Sequence, residues 1–266
     1  VEDGMKLGTV TYNLAKDWDI EAIIQKLSAN RFEGVELRTT HAHGVELSLT
    51  AAQRAEVRRR FQDSPITLVG LGGTYEYHSS DPAVLRANIE GTKQYARLAA
   101  DVGASGIKVR PNNVEDDKGI PREQTFEQIG RAFDECAAFA ADYGVEVRME
   151  VHGHVTQEPA NFRQIMQHVG HPNARVCWNC NAPDVGEDGS IKSNFDALSD
   201  RISLVHMRDL YWPDYPWKEL MVLLQGINYQ GFCLAEIPET AEPERIMGYY
   251  RALFDAYNEI AQLRRA

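Results

Sequence analysis

The strongest constraint on this chain is an eightfold alternation: short apolar, β-rich runs take turns with segments whose apolar residues recur at helical spacing. The runs cover 6–12, 34–40, 66–73, 106–111, 145–153, 174–181, 202–209 and 231–238. Between them lie expected helices near 19–27, 48–61, 81–100, 123–143, 159–169, 195–198, 217–224 and 243–263. Parallel strands need helical crossovers, and eight such units close into a barrel of about 250 residues. The spacing therefore predicts an α/β fold, a TIM (β/α)8 barrel, as a single domain over 1–266. An open doubly wound sheet is the alternative, but no G-x-G-x-x-G follows the first run to support dinucleotide binding.

Punctuation agrees with this division. Ser48 or Thr50 is placed to cap the second helix, Asp81-Pro82 to open the third, and Gly144 to end the fourth. A formal charge of −11 argues against nucleic acid as a partner, because phosphate contacts need clustered Lys and Arg. No stretch approaches the roughly 18 consecutive apolar residues of a membrane helix. The opening V-E-D-G-M-K-L-G lacks a basic region followed by an apolar segment, so a cytoplasmic protein is expected. Cys177 and Cys180 form C-x-x-C, but residues three apart on a strand face opposite sides, and no second pair completes a Cys-rich zinc site.

In a barrel of this kind chemistry sits at the carboxyl ends of the strands. The fifth run reads V-E-V-R-M-E-V-H-G, and strand alternation puts Arg148, Glu150 and His152 on one face. A buried parallel strand is usually apolar throughout, since an interior charge must be paired, hydrated or metal-bound. A half-solvated edge strand is the plainer reading, yet later runs repeat the pattern with Asn179 and Asn181, His206 and Arg208, and Glu236. Earlier ends carry Glu36, Arg38, Lys108 and Arg110. Glu150, Asn179, His206 and Glu236 together offer oxygen and nitrogen ligands suited to one divalent ion, Mn²⁺, Mg²⁺ or Co²⁺, with Zn²⁺ a further fit.

At these residues the chain resembles the xylose-isomerase-like family of sugar isomerases and epimerases. The resemblance rests on M-E-V-H at Glu150, V-C-W-N at Asn179, L-V-H-M-R-D at His206 and L-A-E-I-P at Glu236. In that family the same strand ends carry Glu, Asp, His and Glu around one metal, so Asn179 replaces an aspartate. Ala182 and Trp212 stand where its ketose epimerases have a substrate-binding histidine and arginine. The resemblance implies a sugar or sugar-phosphate isomerase or epimerase, with Glu150 and Glu236 moving a proton next to a carbonyl through a metal-stabilised enediolate. If a leaving group lies β to the carbanion the same residues serve a keto-sugar lyase or dehydratase. A non-catalytic carbohydrate-binding barrel is a further alternative, and an apurinic-site endonuclease is disfavoured by the acidic charge.

Candidate substrate contacts are His152, Arg208, Lys108, Arg110 and Trp212, with Arg208 placed best because it follows His206 on the same face. Lys108 and Arg110 fit equally well in a structural ion-pair layer with Glu36 and Arg38. His41 and His43 have metal-pair spacing but read as exposed loop residues, as does His154, and His78 fits a pocket lid. Tyr211, Trp212, Tyr215 and Trp217 suit stacking on a sugar, covering a pocket, local packing, or contact with a second subunit in a homo-oligomer.

Overall fold

The structure is a computed structural model and describes residues 4–263; residues 1–3 of the opening stretch lie outside the described part. Strands β1 (Lys6–Val10), β2 (Gly34–Arg38), β3 (Thr67–Glu76), β4 (Gly106–Arg110), β5 (Glu146–Glu150), β6 (Ala174–Trp178), β7 (Ile202–Met207) and β8 (Phe232–Ala235) pair in parallel in chain order. β8 closes onto β1 through pairs such as Leu7 with Cys233. Helices α1 (Ile20–Ala29), α2 (Ala51–Gln62), α3 (Pro82–Val102), α4 (Arg122–Ala141), α5 (Pro159–Met166), α6 (Lys192–Asp196), α7 (Trp217–Gly226) and α8 (Pro243–Leu263) follow the strands in turn. This is the TIM barrel that the alternation predicts.

The helix starts are set by side chains that accept the free first-turn amides. Asp19 Oδ1 accepts from Ala22 N at 2.8 Å, Thr50 and Gln53 form a reciprocal capping box, and Asp81 caps α3 ahead of Pro82. Gly103 ends α3 in the left-handed conformation, at φ 85°. Among the described residues, no helix is long and apolar enough to cross a membrane.

Two packing regions result. The larger lies between barrel and helices; the smaller fills the barrel with Val10, Val69, Cys177, Leu204 and Leu234. Towards the amino ends of the strands the barrel is plugged by Arg148, which donates to Val69 O at 2.9 Å and Ser105 Oγ at 3.1 Å and pairs with Glu146 at 2.8 Å. Gly106 makes room for it, since a Cβ there would lie 2.5 Å from the Arg148 Cζ. Arg148 therefore shares its face with Glu150 but belongs to the floor.

Most strand ladders stop earlier than the apolar runs. β5 ends at Glu150 and β6 at Trp178, so His152, Asn179 and Asn181 sit on the connections beyond, not on strands. Left-handed backbone at Cys180 and Gly153, φ 51° and 97°, marks these departures. Strict alternation consequently fails past the ladder: Asn179, Cys180 and Asn181 are all buried in succession, and the two asparagines touch each other.

Candidate metal centre

The carboxyl mouth of the barrel brings together Glu150, the last residue of β5, His206 in β7 and Glu236 just past β8. One ligand atom from each lies within 4.8 Å of the other two. His206 Nδ1 is 3.6 Å from both Glu150 Oε1 and Glu236 Oε2, while its Nε2 is 3.4 Å from Glu36 Oε1. Among the described residues, neither ring nitrogen of His206 has a hydrogen-bond partner, and neither does the buried Asn179 Oδ1. Buried polar atoms are normally satisfied, and carboxylate oxygens, an amide oxygen and one nitrogen of a deprotonated imidazole are all cation ligands, so these unpartnered groups fit a bound cation that displaces the imidazole proton.

Lys108 sits beneath this cluster, 9% exposed, with Nζ 2.7 Å from Glu150 Oε2. Burial alone would raise the Glu150 pKa, but Lys108 and then His206 outweigh it and hold the carboxyl well below its usual range. Burial would also neutralise His206; Cys177, Glu36 and Glu150 overcome it, and the imidazole pKa stands well above the ordinary value. Glu236 behaves oppositely: burial, helped by the Glu150 charge, raises its pKa against the pull of His206. The two glutamates are thus unlike. Glu150 is a clamped carboxylate with 3% of its side chain exposed, whereas the Glu236 side chain is 20% exposed.

Asn179 Nδ2 donates to Asn181 Oδ1 at 3.2 Å, and Asn181 Nδ2 donates to Val151 O. The Asn181 amide in turn donates to Asp184 Oδ2 at 2.7 Å, and this carboxyl also receives the Tyr215 hydroxyl at 3.1 Å. Burial pushes the Asp184 carboxyl up to about 7 despite both bonds. Between its ordinary value near 3.8 and about 7, the folded chain holds a proton here that the unfolded chain has lost. The contribution of Asp184 is therefore complete at acid pH and declines as pH rises through about 7. Urea unfolding of wild type and Asp184→Asn across pH 4 to 8 should show the stability difference shifting against wild type over that window; a pH-independent difference would contradict the assignment.

The remaining sequence candidates fall in three places. Arg208 and Trp212 line a pocket of about 170 Å³ together with Glu236, Tyr12, Asn13, Asp209, Ile237 and Pro238. Among the described residues the Arg208 guanidinium makes no hydrogen bond or ion pair. His152 is half-buried and bonds Asn112 Oδ1 through Nδ1 at 2.9 Å. Arg110 is paired with Glu76, which also accepts from Asn112 Nδ2 at 2.8 Å, so Arg110 and His152 belong to one polar chain along the rim. The layer expected between Lys108 and Arg110 on one side and Glu36 and Arg38 on the other does not form: Lys108 pairs with Glu150, Arg110 with Glu76, and Arg38 bonds Thr39 O and Thr40 Oγ1.

His43 is buried rather than exposed, with Nε2 2.7 Å from Arg38 O and Nδ1 accepting from Val45 N, so both nitrogens are occupied within the loop. His41 bonds Thr11 Oγ1 at 2.8 Å. The aromatic cluster divides: Tyr215 and Trp217 are core, whereas Tyr211 and Trp212 are 71% and 41% exposed. All four cysteines are free and buried. Two features escaped the reading of strand ends. Tyr12 and Asn13, just past β1, were a legible signal, since every strand end faces this mouth; nothing local in the sequence marks Asp184 as buried.

Fold and mouth define a (β/α)8 barrel with a carboxylate and imidazole cage of the kind that holds a divalent ion. A family model for the xylose isomerase-like TIM barrel matches residues 24–255, and the chain belongs to that family. A search of curated proteins finds no match. Among solved structures, the D-psicose 3-epimerase of Clostridium cellulolyticum H10 with D-tagatose superposes with a TM-score of 0.79 at 16% identity, over 97% of this chain and 99% of the other. The E. coli 3-keto-D-glucoside 4-epimerase YcjR gives 0.74 at 17% identity, over 96% and 100%. The IolI protein with a bound zinc atom gives 0.77 at 14%, over 96% and 98%. At these identities the likeness is one of fold.

Proposed function

We propose that the chain is a divalent-metal-dependent isomerase or epimerase of a keto sugar. The observation that carries this reading is the convergence of Glu150, His206 and Glu236, ligand atoms within 4.8 Å, with Asn179, just past β6 between the strands of Glu150 and His206, leaving its buried carbonyl oxygen unpartnered. These four residues would hold the ion, with Mn²⁺, Mg²⁺ or Co²⁺ favoured by the oxygen-rich set and Zn²⁺ acceptable. Asn179 gives a neutral oxygen where a carboxylate would add charge, so the cage binds more weakly than one with four charged or basic ligands. When bound, the ion supplies positive charge next to a substrate carbonyl and its neighbouring hydroxyl, which stabilises an enediolate.

The chain's own residues do the rest. Glu236, reachable from the pocket and with a raised pKa, takes the proton from the carbon adjacent to the carbonyl. Glu150 is the second acid-base group. Glu236 returning its proton to the neighbouring carbon isomerises; epimerisation instead needs Glu150, first reprotonated, to deliver its own proton to the other face while Glu236 keeps the one it took. Lys108 fixes the orientation of Glu150 and lowers its pKa, so that once protonated it gives up its proton readily. Arg208 offers free donors to substrate hydroxyls or an anionic group, and Trp212 and the uncovered part of Tyr12, whose ring also carries Arg38 and stacks on His41, offer surface for the apolar side of a sugar. Those outward rings also favour a second reading, elimination from a 3-keto-glycoside whose leaving group rests there. Four free cysteines suit a cytoplasmic setting.

Incubation with Mn²⁺ in D₂O and separate panels of ketoses and 3-keto-glycosides tests the reading. Metal-dependent deuterium uptake with interconversion of sugars is expected; aglycone release without interconversion selects elimination, and binding without exchange selects a non-catalytic barrel. Glu150→Ala should weaken Mn²⁺ binding beyond the about 10- to 100-fold cost of changes outside the ligand shell. Calorimetric titration showing unchanged affinity would remove Glu150 from the ligand set.

A further inference from the structure

We infer that Asn181 is a positioning residue that turns Asn179 into a metal ligand by fixing which end of its amide faces the cage. An asparagine can present either a carbonyl oxygen or an NH₂ group, and only the oxygen binds a cation. An aspartate at this position would need no such control, having oxygens at both corners. The inference rests on the metal-centre reading above and concerns this chain's own departure from the charged ligand.

The orientation follows from a backbone carbonyl, which can only accept. Val151 O, just past β5, lies against the Asn181 side chain, so the Asn181 group pointing at it must be its NH₂. The other corner of Asn181 is then a carbonyl oxygen, and it stands 3.2 Å from the nearest corner of Asn179. Two carbonyl oxygens would repel there, so Asn179 must turn its NH₂ to Asn181. Its Oδ1 is thereby left facing away, buried and without any hydrogen-bond partner among the described residues. Both asparagines are nearly inaccessible, 1% and 4% exposed, so solvent cannot substitute for either bond. Asn181 is itself held at its backbone, where its amide donates to Asp184 Oδ2 at 2.7 Å. The control thus runs from a fixed carbonyl through two amides to the ligand oxygen.

A double-mutant cycle read by Mn²⁺ affinity, with thermal unfolding of each metal-free variant alongside, tests this. Asn181→Leu keeps the volume and removes both bonds; in the Asn179 background it should weaken Mn²⁺ binding by about 10- to 100-fold, the range for residues that orient ligands. In an Asn179→Asp background the same change should cost no affinity, because a carboxylate has no wrong end and loses only an unfavourable oxygen–oxygen contact with Asn181. Equal losses in the two backgrounds would mean that Asn181 only packs the loop, and would overturn the inference. Should Asn181→Leu not fold, Asn181→Ala is read in the same two backgrounds: affinity should fall with Asn179 and hold with Asp at that position, and equal losses would overturn the inference. Wild type binding no divalent ion would overturn the metal-centre reading and this inference together, whereas tight wild-type binding with equal losses removes the inference alone.

Discussion

Replacing Lys108 with methionine is expected to destabilise the metal-free protein by about 3–5 kcal/mol, the cost typical of stripping one partner from a buried ion pair. Lys108 is 9% exposed and its ammonium lies 2.7 Å from Glu150. Glu150 and Glu36 are 2% and 0% exposed, and Glu236 lies close by across His206. Without the ammonium, three acidic side chains crowd one imidazole in a space that water barely reaches. Protonation of a carboxyl limits the damage, which is why the expected loss stays at a few kcal/mol. The same substitution removes a positive charge that opposes a cation in the cage, so Mn²⁺ affinity should rise. Saturating Mn²⁺ at about 100 times its dissociation constant adds roughly 2.7 kcal/mol to the folded state, enough to recover much of the loss. Urea unfolding with and without Mn²⁺ measures both effects. A loss below about 1 kcal/mol, as for an exposed pair, would show that Lys108 is not a structural counter-ion of the cluster.

The fold was legible because the alternation of runs is a property of the whole chain, and tertiary packing has little room to override eight consistent units. Helix starts were equally plain at Asp81-Pro82 and Thr50, where the capping chemistry is local. Strand ends were less plain. Apolar sequence continues through Val151, Cys180 and Ile237 beyond the last strand residues, because the connections there stay buried and Val151 and Ile237 still make backbone bonds to neighbouring segments. For Glu150, His206 and Glu236 that error was harmless, since each lies on or next to its strand. It did matter for Asn179 and Asn181, whose relation to each other depends on a left-handed turn at Cys180 that alternation cannot describe. Charge pairing was the least legible layer. Lys108 has Glu36, Glu150 and Glu236 around it, and barrel stagger decides which carboxylate it meets at hydrogen-bond distance.

Glu236→Gln should lower kcat by about 10²- to 10⁴-fold, the usual contribution of a positioned acid or base, in whichever sugar panel shows turnover. The substitution is close to isosteric and leaves an oxygen able to ligate, so metal binding should weaken far less than activity falls. Geometry singles out this glutamate. Its side chain is 20% exposed against 3% for Glu150, and it lines the pocket that also holds the unpaired Arg208. Lys108 occupies one oxygen of Glu150 and stabilises its anion, which makes Glu150 the weaker base of the pair. Burial raises the Glu236 pKa and so makes its carboxylate the stronger base once ionised. Exchange of the substrate C–H with D₂O isolates the proton-transfer step from product release. Exchange should vanish in Glu236→Gln while Mn²⁺ titration still shows an occupied site. Persistent exchange at the wild-type rate would place the base elsewhere, with Glu150 the next group to test by the same substitution.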